Sequence, residues 1–212
     1  MNNLEIEAKF WVPHLFDLRQ RLIERSAVLR SPRTLERNLR FDTPDKSLTA
    51  SGQVLRLRQA AVASMTFKIP GDSFEQRQEL EFEVSDLERA QLLLEALGFQ
   101  LIHCYEKYRE IFQLGDCLVM LDEVPYGCFI EIEGPDLATI QSTCRKLDLY
   151  WDQRIQRTYL DMFMEVREQM PIKPEHATFS AFEGMVQVRA DALELPRGDQ
   201  PPDQVNNPSW NR

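Results

Sequence analysis

The chain of 212 residues is short of most features that would place it at a glance. Its four cysteines, Cys104, Cys117, Cys128 and Cys144, form no CxxC pair. A zinc site is therefore not expected, and a disulfide framework is out of character for a chain of this size. There is no excess of positive charge: the formal net charge is −9 and the pI about 5.0. General nucleic-acid binding needs a basic surface, so no nucleic-acid partner is expected. A small anion held in a locally basic pocket remains compatible with that total. No apolar run approaches the ~20 residues of a membrane helix. Met1 leads straight into a charged stretch rather than a signal peptide. The expectation is a cytoplasmic protein that meets no membrane.

What the chain does have is a core and a rhythm. It is 43% hydrophobic and 28% charged, enough apolar content to fold and too little charge imbalance for disorder. Leu4-Glu5-Ile6-Glu7-Ala8-Lys9-Phe10 alternates with period two, which predicts a strand with one apolar and one charged face. Pro13 is placed to start a helix at its first turn, with Leu15, Leu18, Leu22 and Ile23 on one face. A strand over 33–41 ends at the turn signal Asp42-Thr43-Pro44-Asp45. Alternation returns around Arg56 and Arg58, and again around Lys68.

Glu79-Leu80-Glu81-Phe82-Glu83-Val84 repeats the opening pattern. Ser85 and Glu88 have capping-box spacing, which predicts a helix with Leu87, Leu93, Leu94 and Leu97 on its apolar stripe and Gly98 at its end. A strand over 100–113 carries Lys107 and Arg109, another runs from Cys117 to Asp122, and Phe129-Ile130-Glu131-Ile132-Glu133 alternates once more. Asp136 opens a helix with Leu137, Ile140, Cys144 and Leu147 as its buried edge. Residues 154–168 fit a strand followed by a helix, or a helix alone. Leu4 to Val28 and Leu80 to Leu101 share the order charged strand, helix, strand, as two copies of one unit would.

Six of the twelve prolines fall in the last 42 residues. The stretch 169–212 reads as a Pro-rich appendage to a domain over 1–168, with a short helix within 181–195 and disorder after about Pro196.

About eight strands with short turns fit an antiparallel barrel or a curved sheet. The apolar faces need cover, and helices can cover only the outside of a barrel. The charged faces then point into a polar lumen lined by Glu5, Glu7, Glu79, Glu81, Glu131 and Glu133 with Lys9, Arg56, Arg58, Lys68, Lys107 and Arg109. Burying that many charges requires compensation, which phosphate oxygens and a hard divalent cation would provide. A β-sandwich with these charges in water fits the patterning about as well. In either arrangement Glu79, Glu81 and Glu83 are the best candidates for pairing with neighbouring basic strands.

The ordered series of motifs then becomes specific. Glu5-x-Glu7-x-Lys9 resembles the ExExK signature of the CYTH superfamily, the triphosphate tunnel metalloenzymes. Phe41-Asp42-Thr43-Pro44-Asp45, Leu55-Arg56-Leu57-Arg58, Thr66-Phe67-Lys68, Lys107-Tyr108-Arg109, Leu121-Asp122-Glu123-Val124, Phe129 to Gly134 and Thr158-Tyr159-Leu160 follow in the family's order. The resemblance spans about residues 2–165. Arg40 stands where the family usually has Tyr, and Glu36 and Asn38 where it has Gln and Asp.

The resemblance implies an α+β fold, an eight-stranded antiparallel tunnel with a charged lumen and helices packed outside. It implies a metal set of Glu5, Glu7, Asp122, Glu131 and Glu133 holding Mg²⁺ or Mn²⁺. It further implies phosphate binding by Lys9, Arg56, Arg58, Lys68, Lys107 and Arg109, with Lys9, Glu7 and Arg58 closest to the chemistry. The implied substrate is a nucleoside, thiamine or inorganic triphosphate, hydrolysed at its terminal phosphate. Two other functions stay open: a class IV adenylate cyclase making cyclic AMP and pyrophosphate, and a non-catalytic polyphosphate-binding module. No histidine suits a general base. A homodimer is left open.

Overall fold

The computed structural model describes residues 4–170, 173–183 and 193–202. Eight strands close into one antiparallel barrel in the order β1-β5-β4-β3-β2-β6-β7-β8. They are β1 (Leu4–Val12), β2 (Val28–Asp42), β3 (Val54–Gln59), β4 (Ser64–Pro70), β5 (Gln76–Glu83), β6 (Gln100–Leu114), β7 (Cys117–Val124) and β8 (Gly127–Glu133). Helices α1 (Phe16–Glu24), α3 (Leu87–Ala96) and α4 (Leu137–Lys146) lie outside the barrel, α2 (Ser47–Ala50) is a single turn, and α5 (Tyr159–Glu168) closes the chain's main body.

The barrel carries an internal symmetry. The elements β1-α1-β2-β3-β4 match β5-α3-β6-β7-β8, and exchanging each strand for its counterpart maps the ring onto itself. The two stretches that looked like copies in the sequence are the β–α–β starts of these halves. Only the second half is followed by a packed helix, α4.

The apolar faces point outward, as the barrel reading of the patterning requires. Ile6, Ala8 and Phe10 of β1 are buried with Leu18 and Leu22 of α1 and Ile140, Cys144 and Leu147 of α4. A second outer cluster puts Leu39, Phe41, Leu55 and Leu57 under Ala90 and Leu94 of α3.

Two helix starts differ from the sequence expectation. Pro13 lies outside α1, which begins three residues later at Phe16. The cap of α3 is Asp86, whose carboxylate accepts from the Arg89 amide at 3.0 Å; Ser85 sits one residue too early to reach it. Leu93 and Leu97 are exposed, because α3 lays its Ala90–Leu94 edge on the barrel instead. Gly98 does end this helix, with φ +95°. The turn at Asp42 works as expected and explains itself: the carboxylate accepts from the amides of Thr43, Leu48 and Thr49 at 2.8–3.0 Å.

The described part of the tail packs on the barrel. Ala177 pairs in parallel with Tyr105 on β6, donating to the Cys104 carbonyl and accepting from the Glu106 amide. Phe182, Leu193 and Leu195 join the outer cluster around Phe129 and Phe163. Gly198 donates to the Trp11 carbonyl, and a Cβ there would meet the Phe10 side chain at 2.6 Å. Packing at 197–198 was not legible in the composition of this stretch. The helix expected within 181–195 falls mostly on 184–192, outside the described residues; of the stretch after Pro196 expected to be disordered, 197–202 is described and held at Gly198 by Trp11 and Tyr150, and 203–212 lies outside the described residues. A short 3₁₀ turn occupies Ser180–Phe182.

This seal gives a pH test. Burial, then His176 and Arg40, hold the His103 imidazole down to about 4, against an ordinary 6.5. The unfolded chain thus takes its proton first, so stability is lost as pH falls from 6.5 toward 4, on the order of 3 kcal/mol. Glu5, described below, works in the opposite direction over part of that window. The measurement is therefore a comparison: chemical denaturation of wild type and His103→Gln at pH 7 and 4.5. Wild type should lose more stability on acidification than the variant. Parallel losses would remove His103 from this role.

Candidate active site

Alternation along each strand turns one set of side chains inward. Glu5, Glu7, Lys9, Arg56, Arg58, Lys68, Arg109, Glu131 and Glu133 line one cavity of about 550 Å³, together with Glu79, Glu81, Arg40, Arg77, Tyr105 and Tyr159. Seven cations and six carboxylates meet there. Such a density persists only if each charge is paired or a ligand compensates it.

Most of the charges are paired. Lys9 Nζ lies 3.2 Å from Glu131 Oε1, and Arg109 pairs with the other oxygen of the same carboxylate. Lys68 Nζ lies 2.5 Å from Glu5 and 2.9 Å from Glu79. Arg58 reaches Glu81 at 2.7 Å, and Thr66 donates to the same residue at 2.6 Å. Glu79 and Glu81 therefore pair with basic strands, as their pattern suggested.

Glu5 and Glu79 divide the influence of Lys68 unequally. Burial, with Glu7 and Glu79 nearby, pushes Glu5 up to about 8 against the pull of Lys68. Burial also opposes ionisation of Glu79, but Lys68, Glu5 and Arg56 together outweigh it and Glu79 falls to about 2. Burial works against Glu131 as well, yet Lys9, Lys107 and Arg109 hold it well below the usual carboxylate range.

Two expected members stand behind the cavity wall and do not line it. Asp122 is fully buried and accepts from Lys107 at 3.0 Å, from Arg109 at 2.7 and 2.5 Å, and from the Tyr159 hydroxyl at 2.8 Å. Lys107 is buried between Asp122, Glu36 and Glu131. Asp122 thus orients Arg109 and Lys107 from behind.

The residues left over are the informative ones. Glu7 and Glu133 sit directly opposite each other on β1 and β8. Neither carboxylate has a hydrogen-bond or ion-pair partner among the described residues. Burial, then Glu7 and Glu79, raises Glu133 above the ordinary glutamate value despite Lys68. Like charges directly opposite in a sheet are unfavourable. No three His, Cys, Asp or Glu side chains converge as a ready cation cage among the described residues. Two carboxylates with phosphate oxygens completing the shell is, however, the usual Mg²⁺ arrangement.

Sequence reasoning missed Arg40, Arg77, Tyr105 and Tyr159 as lining residues. Arg40 was legible, since it shares a β2 face with Glu36 and Asn38. Tyr159 was not: its ring lies 4.0 Å from Lys9 Nζ only because α5, started by a Thr158–Asp161 capping box, folds back over the barrel.

A family model for the CYTH domain matches residues 3–147. The chain belongs to the CYTH family. Among solved structures it is similar to the PH1012 protein of Pyrococcus horikoshii, with 28% identity over 74% of this chain and 98% of that one and a TM-score of 0.66. A candidate adenylate cyclase from Vibrio parahaemolyticus shares 22% identity over 76% of this chain and 98% of that one, TM-score 0.68. HpAC1 of Hippeastrum, which has a dominant triphosphatase activity, shares 18% over 76% of this chain and 95% of that one, TM-score 0.56. The last two likenesses show the shared tunnel fold. No match was found among curated proteins. No helix among the described residues is long and apolar enough to cross a membrane. In this CYTH barrel the ExExK strand supplies Glu5, Glu7 and Lys9 to the lumen, and Ile6, Ala8 and Phe10 on its other face do the outward packing.

Proposed function

We propose that this CYTH protein hydrolyses the terminal phosphate of a triphosphate with the help of a divalent cation. The observation that carries the reading is the unpartnered Glu7–Glu133 pair set among the paired cations Lys9, Arg58, Lys68 and Arg109.

Glu7 and Glu133 are the residues that would hold Mg²⁺ or Mn²⁺, with Glu5 beside them. Such a cation would neutralise phosphate oxygens and polarise the phosphorus. Triphosphate entry is then an exchange of partners. Arg58 and Lys68 turn from Glu81 and Glu5 toward phosphate oxygens, and Lys9 and Arg109 do so from Glu131. Arg grips as a fork, Lys as a point charge. These groups hold the chain in line for attack and stabilise the spreading negative charge. A carboxylate of the Glu5–Glu7–Glu133 group takes a proton from the attacking water, and orthophosphate and the diphosphate product leave. Asp122 keeps Arg109 aimed throughout.

The dominant triphosphatase activity of the fold relative HpAC1 supports hydrolysis over cyclisation. The test is product analysis with purified protein, Mg²⁺ or Mn²⁺, and ATP, thiamine triphosphate or inorganic triphosphate. Metal-dependent orthophosphate release is expected. Cyclic AMP with pyrophosphate would replace the reading with a cyclase, and tight binding without turnover with a binding module.

A further inference from the structure

The two halves of the barrel are not equally covered. Ser26 after α1 corresponds to Gly98 after α3: both have positive φ, 57° and 95°, and the amide that follows each donates back to Leu22 and to Leu94 respectively. At that spacing Ala8 and Phe10 of β1 correspond to Leu80 and Phe82 of β5, and Arg21 and Arg25 of α1 correspond to Leu93 and Leu97 of α3. In the first set the outer side is closed. Ala8 and Phe10 lie under α1 and α4 at 3% and 0% exposure, and Arg21 donates to the Leu147 carbonyl at the end of α4 at 2.8 Å. In the second set it is open. β4 runs into β5 through 71–75 without a helix, so the position that corresponds to α4 is unfilled among the described residues. Leu80 and Phe82 are 43% and 58% exposed there. Leu93 and Leu97, on the side of α3 that corresponds to the α4-facing side of α1, are more than half exposed.

Helix α3 is apolar on opposite sides. Its polar residues Glu88, Gln91 and Glu95 form one narrow stripe at i, i+3 and i+7. Ala90 and Leu94 rest on the barrel, while Leu92 is more than half exposed, as Leu93 and Leu97 are. A helix apolar nearly all round belongs between two bodies. Leu80, Phe82, Leu92, Leu93 and Leu97 leave roughly 500 Å² of apolar surface open, at the upper end of what a monomer exposes in one patch and, with a polar rim, comparable to the ~800 Å² per partner of a standard interface.

We propose that the chain forms a twofold dimer in which α3 of each copy fills the open trough of the other. A twofold axis parallel to α3 sets the two α3 helices side by side between the two barrels. Leu93 and Leu97 meet their own counterparts across the axis, and Leu92 of each copy faces Leu80 and Phe82 of the other. The occupant is a second copy because the patch holds both parts of the contact: a trough the size of one helix and an unpartnered helix to fill it. An isologous interface needs one surface to supply both. Triphosphate chemistry plays no part in this contact.

The test is sedimentation velocity of the full chain over a dilution series, on wild type, Leu92→Glu and Leu93→Glu. Wild type should sediment as a dimer that dissociates on dilution. Either glutamate should raise the dimer dissociation constant by about hundredfold or more. Far-UV circular dichroism and the melting of dilute protein should stay as in wild type, since both side chains are exposed in the single chain. Leu93→Cys should form a disulfide-linked dimer on mild oxidation. Wild type, whose four cysteines are buried or half-buried, and Ile23→Cys, at an exposed position of α1, should not. Wild type that is monomeric at every concentration would overturn the dimer and leave the trough to a different protein. A dimer that neither glutamate weakens, or one cross-linked through Ile23→Cys and not through Leu93→Cys, would place the interface elsewhere and overturn it too.

Discussion

Glu7→Gln should leave the protein folded and lower metal-dependent turnover by about 10²–10³-fold. The Glu7 carboxylate has no hydrogen-bond or ion-pair partner to lose among the described residues, and it faces Glu133 across the β1–β8 ladder. Removing its charge relieves the repulsion from Glu133 and gives up an attraction to Lys68, so melting without metal should stay close to wild type. The loss should appear in the metal titration, where saturation needs much more Mg²⁺ or Mn²⁺. Glu133→Gln should behave alike, and the double variant should add little to either single one, because the two carboxylates serve one ion. Near-normal turnover in Glu7→Gln at low metal would move the cation site away from this strand pair.

Asp122→Asn should do the opposite: damage the fold first. The Asp122 carboxylate is fully buried and holds Lys107, Arg109 and Tyr159 together. Burial alone would raise it, but Arg109 and Lys107 outweigh burial and keep it ionised below the ordinary aspartate range. A buried ion network of this kind contributes little net stability over an apolar core, yet breaking it leaves buried charge unpaired. That costs about 3–5 kcal/mol. In a chain of this size the melting temperature should drop by about 10 °C. Because the depressed aspartate contributes stability only while ionised, wild type should lose this contribution as pH falls below about 4, and Asp122→Asn should not. An Asp122→Asn protein with wild-type melting and merely weaker metal binding would return Asp122 to the metal shell, the role the family resemblance implied for it.

Period-two alternation carried a large share of both the fold and the site. In β1, β3 and β8 it told which side chains share a face, and the large number of charged faces favoured a lumen. It could not choose between barrel and sandwich, because a strand's pattern is the same whether its charged face meets water or another strand's charges. Depth was equally hidden. Lys107 and Arg109 lie two residues apart on the same face of β6, yet Arg109 lines the cavity and Lys107 sits behind it. Helix edges were less legible than strand faces. Leu93 and Leu97 looked like core and are exposed, since α3 stands on the barrel along Leu87, Ala90 and Leu94.

The sequence by itself determined which residues could form a charged wall, the order of those walls along the chain, and the resemblance that links them to triphosphate chemistry. Those properties are local or follow one after another in the chain. Only the tertiary structure decided which charges neutralise each other. Glu131 is saturated by Lys9 and Arg109 and Asp122 is walled in, while Glu7 and Glu133 are left facing each other and Arg40 faces Arg56. Pairing depends on register between strands as far apart in sequence as β1 and β8, and on a few ångströms of depth. A period of two residues encodes neither.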